Sequence, residues 1–164
     1  MALSLQDPHL VWQKVKKATA NANPSVQAAF RELKTYLATQ GGNPQLQFIP
    51  FGEADIIQAT GYSPIGNVTS TVYGAFAKKV GAGAGVAPTG TDSMLTLQNA
   101  TTNTDVTKIL VALVMDVANA EVVAIKPTGW IFATDLTISG QTAALDGTES
   151  TANDSGGGFV IVGA

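Results

Sequence analysis

The sequence predicts a mainly β protein, an antiparallel β-sandwich or jelly-roll-like body with a helical extension at its N-terminus. Residues 1–43 show helical periodicity between recognisable helix caps. From residue 44 onward Thr, Val, Ile and Gly dominate, and turn-forming residues recur at short intervals, which is typical of short strands. The chain has 164 residues, the size of one domain with a small appendage. We therefore divide it into an N-terminal helical extension, residues 1–43, and a β-sandwich domain, residues 44–164.

Two helices are predicted in the extension. Each begins with a capping residue followed by proline, Asp7 with Pro8 and Asn23 with Pro24. Such caps accept a hydrogen bond from a free helical N–H, and proline fits the first turn. The second helix carries an apolar stripe with a period near 3.6, formed by Val26, Ala29, Phe30, Leu33, Tyr36 and Leu37. Glycines at 41–42 are expected to end it in a left-handed conformation.

Eight short strands are predicted in the remainder. They are Leu46–Phe51, Ala54–Gln58, Asn67–Phe76, Ser93–Asn99, Thr107–Met115, Glu121–Ile125, Ile131–Ser139 and Gly158–Val162. A break at Asp135 is one option for the seventh. The segment 105–123, "DVTKILVALVMDVANAEVV", also fits a helix, but its β-branched residues favour strand, turn, strand.

Charge is sparse and unevenly placed. Asp, Glu, Lys and Arg make up 13% of the chain, against about 25% in a typical domain. Residues 1–43 hold five basic and two acidic residues, a net of +3, and the remainder holds four and ten, a net of −6. The acidic body disfavours specific nucleic-acid binding, although "WQKVKK" is a small basic cluster. A surface of short neutral side chains packs against neighbours at low desolvation cost, which favours assembly.

The glycine-rich stretch 78–92, "KKVGAGAGVAPTGTD", is interpreted as a surface loop between two strands. Gly85 and Gly90 have the spacing of a phosphate-binding loop, but Thr91 stands where that motif requires lysine. Val86 occupies a position that the dinucleotide fingerprint requires to be glycine, and a strand-like segment follows instead of a helix. A nucleotide site is therefore not expected.

Catalytic and metal-binding residues are not predicted. The single histidine, His9, lies in the first turn of a helix and is expected to be solvated. Glu53 and Asp55 are expected on one side of a strand, as solvent-facing carboxylates. Two other acidic pairs are Asp116 with Glu121 and Asp146 with Glu149. The segment from Asp146, "DGTESTANDSGGG", offers oxygen ligands for Ca²⁺ without the spacing of a calcium loop. With no cysteine for a thiolate site or a nucleophile, a protein without enzymatic activity or cofactor is expected.

A membrane span is not expected either. The N-terminus lacks the basic start and apolar core of a signal peptide. The longest apolar run, Ile109–Met115, is far shorter than the roughly 20 residues that cross a bilayer. We expect a soluble protein.

Three segments carry a resemblance to a known class of protein. These are "GTDSMLTLQNATTNTDVTKILVALVMD", "GWIFATDLTISGQTAALDGTES" and the final "GGFVIVGA". Over about residues 60–164 the chain resembles small accessory proteins of tailed-bacteriophage virions, in particular capsid decoration, or cement, proteins. The resemblance implies a structural protein made in the host cytoplasm and located on the capsid surface of the virion. It also implies a homo-oligomer, with a trimer as one option, whose partner is the major capsid protein.

The helical extension supplies the predicted interaction residues. These are Val11, Trp12, Val15, Phe30, Leu33 and Leu37. They are expected either to cap the sandwich or to clasp a neighbouring subunit, and core packing is the alternative role for Phe30. A second functional hypothesis is a carbohydrate- or receptor-binding module of a phage tail or fibre, in which Trp130, Tyr62 and Tyr73 stack on sugar rings. An exposed Trp130 beside acids favours sugar binding, and a buried one favours the core.

Overall fold

The computed structural model describes residues 3–40, 44–56, 60–79, 93–115, 120–142 and 157–164. The helical elements are α1 (Pro8–Ala18), α2 (Pro24–Thr39), the short α3 (Glu53–Ile56) and a 3₁₀ turn at Val106–Lys108. The strands are β1 (Leu46–Phe51), β2 (Ser70–Lys78), β3 (Ser93–Asn99), β4 (Ile109–Met115), β5 (Glu121–Phe132), β6 (Leu136–Thr142) and β7 (Gly157–Gly163).

The strands form two antiparallel sheets. The larger has the order β1-β7-β2-β5 and the smaller the order β4-β3-β6. Every strand pair in both sheets is antiparallel. The predicted class, mainly β with a sandwich and N-terminal helices, is confirmed, and the narrower assignment to a jelly roll stays a prediction.

Two apolar cores lie on the two faces of the larger sheet. The first lies between the sheets and joins Val72, Val160 and Val162 to Leu95 and Leu113 of the smaller sheet, among others. The second lies between the larger sheet and helices α1 and α2. The molecule is therefore a stack of three layers, with the helices and the smaller sheet on opposite sides of the larger one.

Strand β7 shows why its sequence is apolar without alternation. Val160 and Val162 enter the first core, while Phe159 and Ile161 enter the second. A strand covered on both faces has no solvent side, so a continuous apolar run is the pattern that it requires. The prediction that "GGFVIVGA" lies inside a sheet is confirmed, because β7 pairs with β1 on one side and β2 on the other.

Phe159 is the centre of the second core. Its ring centroid lies 4.8 Å from that of Phe48, 5.1 Å from that of Phe30 and 5.6 Å from that of Phe76. The three pairs are tilted, within the range of spacings that aromatic side chains prefer. One side chain thus connects β7 with β1, β2 and α2.

Both predicted helices are confirmed. Asp7 caps α1, since its Oδ1 accepts a hydrogen bond from the backbone N of His9 at 2.8 Å. Asn23 occupies the N-cap of α2 without a capping hydrogen bond from its side chain. The glycines at 41–42 lie outside the described residues.

Most predicted strands are confirmed. The described part of segment 105–123 contains the 3₁₀ turn, strand β4 and the start of β5, and residues 116–119 lie outside the described residues. The predicted break at Asp135 is also confirmed, since β5 ends at Phe132 and β6 begins at Leu136. The strand predicted at Ala54–Gln58 is wrong over its described residues, because Glu53–Ile56 is the helical turn α3. Its local hydrogen bonds explain the difference, because Asp55 Oδ2 accepts from Gly52 N at 2.8 Å. Residues 57–58 lie outside the described residues.

Strand β5 is longer than predicted because a bulge lets it continue past Ile125. Val72 of β2 pairs with Trp130 and Gly74 pairs with Ile125, so several residues of β5 lie opposite the single residue between them. Gly129 in this bulge has φ +84°, and a Cβ there would overlap Cγ2 of Thr71. Glycine is the residue that fits such a backbone.

Candidate protein-binding surface of the helical layer

The six predicted interaction residues all lie in the second core. Their exposed fractions are Val11 0%, Trp12 8%, Val15 3%, Phe30 3%, Leu33 1% and Leu37 2%. They hold α1 and α2 on the chain's own larger sheet. Their part in binding another protein stays a prediction, and three of them form the floor of a surface groove.

The interhelical groove lies between α1 and α2. Its floor consists of Trp12, Val15 and Phe30, and its volume is about 450 Å³. Its rim carries the basic side chains Lys16, Arg31 and Lys34, all exposed. Gln27, also at the groove, donates through Nε2 to the backbone oxygens of Thr19 at 2.9 Å and Ala20 at 3.2 Å, tying α2 to the C-terminal end of α1.

The charge of the interhelical groove is of one sign. No acidic residue is among the described residues that line it. Within the described residues, no carboxylate lies within ion-pairing distance of Lys16, Arg31 or Lys34. Positive charges at the rim of an apolar groove attract and orient an acidic partner.

A second groove, the α1–sheet groove, lies on the other side of α1. Aromatic rings again line it, Phe48, Phe76 and Phe159, within a volume of about 580 Å³. Its basic residues are Lys14, Lys17 and Lys78. Lys14 donates to Gln6 Oε1 at 3.1 Å, and Lys78 lies 4.0 Å from Glu121. Helix α1 thus separates two grooves, and each combines aromatic rings with basic side chains.

The described part of the chain brings the catalytic candidates into no shared site. His9 is exposed, as predicted, and its Nε2 lies 3.1 Å from Nε2 of Gln13. The expectation that Glu53 and Asp55 lie on one side of a strand is wrong, because these residues belong to α3. Within the described ranges no three His, Asp or Glu side chains converge as a metal site would require, and no helix is long and apolar enough to cross a membrane.

Several candidates lie outside the described residues. These are Asp116, Asp146 and Glu149 of the acidic pairs, residues 146–156 of the calcium-loop candidate, and residues 80–92 of the glycine-rich stretch. The strands on either side of that stretch are β2 and β3, as the interpretation of a connecting loop requires.

The three aromatic residues of the sugar-binding hypothesis do not form one platform. Trp130 is partly buried against the first core and Tyr73 against the second, so they lie on opposite faces of the larger sheet. Tyr62 packs against the first core and pairs with Ile138 in the smaller sheet. Burial, with the negative charge of Asp55 as a smaller cause, raises the pKa of Tyr62.

A buried polar cluster on the outer face of the smaller sheet was not anticipated from the sequence. Its members, all 0–1% exposed, are Thr96, Gln98, Asn103, Thr137 and Ser139. Asn103 Nδ2 donates to Ser139 Oγ at 2.9 Å, and Thr137 Oγ1 donates to the backbone oxygen of Ala100 at 2.6 Å. These bonds fix residues 100–103 over the sheet. In the sequence, only the polar side chains of "SMLTLQN" indicate this cluster, and the alternation of polar and apolar residues predicts that they are exposed to solvent.

Comparison with known protein families, with curated proteins and with solved structures gives no match.

Proposed function

We propose that this chain is a non-enzymatic virion structural protein, a capsid decoration or cement protein that binds the assembled major capsid shell. The resemblance over about residues 60–164 supports the class. The observation that carries the binding mode is the interhelical groove, with its apolar floor and its three basic residues of one sign. The partner segment would therefore be acidic at its edges and apolar at its centre.

The three-layer body suits this role because it holds the groove in one shape. Trp12 and Phe30 are anchored in the second core, so the floor of the groove is fixed before a partner arrives. A preformed surface loses little conformational entropy when it binds. Tryptophan and arginine, here Trp12 and Arg31, are also enriched among the residues that carry most of the binding energy at protein interfaces.

The stabilisation of the shell follows from a preference for binding the assembled shell over its separated subunits. A protein that binds the assembled shell and not its separated subunits stabilises the shell by mass action, to an extent set by its concentration and its dissociation constant. The positive rim adds electrostatic attraction, which salt screens over a Debye length of about 8 Å at physiological ionic strength. Binding should therefore weaken as salt is raised.

The experiment is co-sedimentation of the purified protein with purified shells that lack it. The test variant is Arg31→Glu with Lys34→Glu, which reverses two rim charges on exposed positions of α2. We expect its dissociation constant to rise by at least about tenfold, the equivalent of about 1.4 kcal/mol. Added salt should weaken shell binding by the native protein more than shell binding by the variant.

The matched control is Lys108→Glu with Lys126→Glu, which reverses two exposed lysines, one in the 3₁₀ turn before β4 and one in β5. It changes the net charge by the same amount as the test variant, but neither lysine lines a groove. Equal losses for the control and the rim variant would contradict the proposed site. Failure of the native protein to sediment with any shell would contradict the function itself.

A further inference from the structure

The two grooves beside α1 together form one basic surface, which we call the α1 saddle. Three basic side chains line each groove, so six of the nine Lys and Arg residues of the chain lie here. They are Lys14, Lys16, Lys17, Arg31, Lys34 and Lys78. No described residue that lines either groove is acidic. The α1 saddle therefore concentrates positive charge, although the chain as a whole has a net charge of −3.

Helix α1 runs between the two grooves as a ridge. Its outward face carries Leu10, Gln13 and Lys17, which are exposed and spaced three and four residues apart, as neighbours on one helical face are. Val11 and Val15 of α1 are buried in the second core. A helix with its side chains is about 10–12 Å wide. The grooves are therefore separated by about that distance, across a helix that contains no acidic residue.

We infer that the α1 saddle binds one extended acidic polypeptide segment that crosses α1 and places an apolar side chain in each groove. Positive charge on both sides of α1 selects an acidic occupant. The aromatic floors of both grooves select apolar side chains. In an extended chain, residues four positions apart lie on the same face and about 13 Å apart, just enough to cross a helix. The segment therefore carries two apolar residues at positions i and i+4, with acidic residues around them.

Most of the positive charge of the α1 saddle is available to a partner. Lys78 Nζ lies 4.0 Å from Glu121 Oε1. Glu121 is itself 9% exposed, and its Oε2 accepts a hydrogen bond from the backbone N of Asn23 at 2.8 Å, at the start of α2. The other five basic residues have no described carboxylate within ion-pairing distance. Carboxylates of a bound segment would therefore meet charges that the described chain does not neutralise.

The α1 saddle favours a polypeptide over other acidic partners. Single-stranded nucleic acids stack their bases on accessible aromatic rings, but Trp12 is only 8% exposed and Phe159 only 1%. Helices that bind membranes insert their apolar face into the bilayer, but the apolar face of α1 is buried on the chain's own sheet. A polypeptide supplies both the carboxylates and the apolar side chains that two concave, apolar grooves require.

The first test measures the binding of two labelled synthetic peptides by fluorescence anisotropy. Both peptides contain two phenylalanines among glutamates and have the same composition. The phenylalanines lie four positions apart in the first peptide and three positions apart in the second. Residues three apart in an extended chain lie on opposite faces, so we expect the second peptide to bind at least about tenfold more weakly. Equal dissociation constants would overturn the inference.

The second test asks whether both grooves take part. Arg31→Glu with Lys34→Glu alters the interhelical groove, and Lys17→Glu alters the α1–sheet groove. Ala18→Trp fills the α1–sheet groove from an exposed position without a change of charge. We expect each of the three proteins to bind the first peptide at least about tenfold more weakly than the native chain. Native-like binding by both Lys17→Glu and Ala18→Trp would confine the partner to one groove and overturn the inference.

The matched control is Lys108→Glu with Lys126→Glu, at two exposed lysines that line neither groove. Because salt screens distant charges, it should bind the first peptide within about twofold of the native chain. Urea unfolding verifies that every variant is folded. If an oligothymidylate, or a vesicle that contains phosphatidylserine, binds the native chain more tightly than the first peptide does, the α1 saddle belongs to another class of partner.

The assignment of the bound segment to a shell protein rests on the proposed function, whereas its acidic and apolar chemistry does not. Shell co-sedimentation separates the two. A native chain that binds the first peptide but no shell would support the α1 saddle and contradict the proposed function. Shell binding that depends on Arg31 and Lys34 but is unchanged by Lys17→Glu and Ala18→Trp would support the function and contradict the crossing of α1.

Discussion

Truncating Phe159 to alanine should destabilise the whole chain. The ring lies in the second core, and its strand, β7, belongs to the larger sheet, which packs against both cores. Phe159 is 1% exposed and contacts three other rings. Removing a buried phenylalanine side chain costs about 3–5 kcal/mol. Aromatic pairs add about 0.5–1.5 kcal/mol each beyond the area that they bury. Since the neighbouring strands restrict collapse of the cavity, we expect a loss near the upper end of the first range, about 4–5 kcal/mol.

Two tryptophans allow the effect to be followed in each core separately. Trp12 lies in the second core and Trp130 packs against the first, and the chain contains no other tryptophan. Phe159→Ala is introduced into Trp12→Phe and Trp130→Phe backgrounds, and urea unfolding is followed by fluorescence. Both probes should report the same loss, because Val160, the next residue of β7, enters the first core. Coincident probes are the mark of a two-state transition.

The control is Phe159→Leu, which keeps an apolar side chain of similar size and should cost less than about 1.5 kcal/mol. Two results would contradict the role of Phe159 in joining the two cores. One is a loss below about 2 kcal/mol for Phe159→Ala, outside the range for a packed phenylalanine. The other is a shift at Trp12 without a shift at Trp130, which would make the helices a separately folding extension.

Two further predictions concern the larger sheet and the loop that leads into β6. Burial raises the pKa of Asp135 above its ordinary 3.8, although hydrogen bonds from Ser63 and Leu136 act against this. The folded chain then holds this proton more tightly than the unfolded chain, so the Asp135 contribution to the free energy of unfolding falls as pH rises from 3.8 through the raised value. Asp135→Asn should remove this pH-dependent contribution. The difference in the free energy of unfolding between the native chain and the variant should therefore change over this pH range, and a constant difference would contradict the prediction. Gly129→Ala should cost at least about 1–3 kcal/mol in urea unfolding, because its φ is +84° and the added Cβ overlaps Thr71. Gly52→Ala is the control, because a Cβ at Gly52 lies 3.9 Å from Asp55 Oδ2, an ordinary contact. Its free energy of unfolding should stay within about 0.5 kcal/mol of that of the native chain. Equal losses at Gly129 and Gly52 would exclude backbone strain as the cause.

The sequence predicts those elements whose signals are local. The caps at Asp7 and Asn23 and the apolar stripe of α2 define both helices, and the unbroken apolar run of β7 predicts an interior strand. Segment 54–58 misleads because Ile56 is β-branched and apolar, as strand residues are. The hydrogen bond from Gly52 to the Asp55 side chain instead closes a helical turn, and Ile56 then packs on Gly140 of β6.

The candidate site could be predicted only in part, because its geometry is non-local. The apolar stripe of α2 predicts Phe30 on a buried face, but the sequence does not say whether Trp12, Val15 and Phe30 cover the chain's own sheet or a neighbouring subunit. The basic rim combines Lys16 of α1 with Arg31 and Lys34 of α2, and the packing of one helix against the other decides whether they meet. The outer face of β3 illustrates the same limit. Thr96 and Gln98 alternate like solvent-facing residues, yet residues 100–103 and neighbouring segments bury them.

Thermal disruption of purified shells, measured with and without the purified protein, tests the cement function most directly. We expect the disruption temperature to rise with protein concentration and to level off when the shell sites are filled. Arg31→Glu with Lys34→Glu should need a higher concentration to reach the same temperature. If the disruption temperature of the shells and their resistance to osmotic shock stay the same whatever amount of the native protein is added, the protein does not cement the shell.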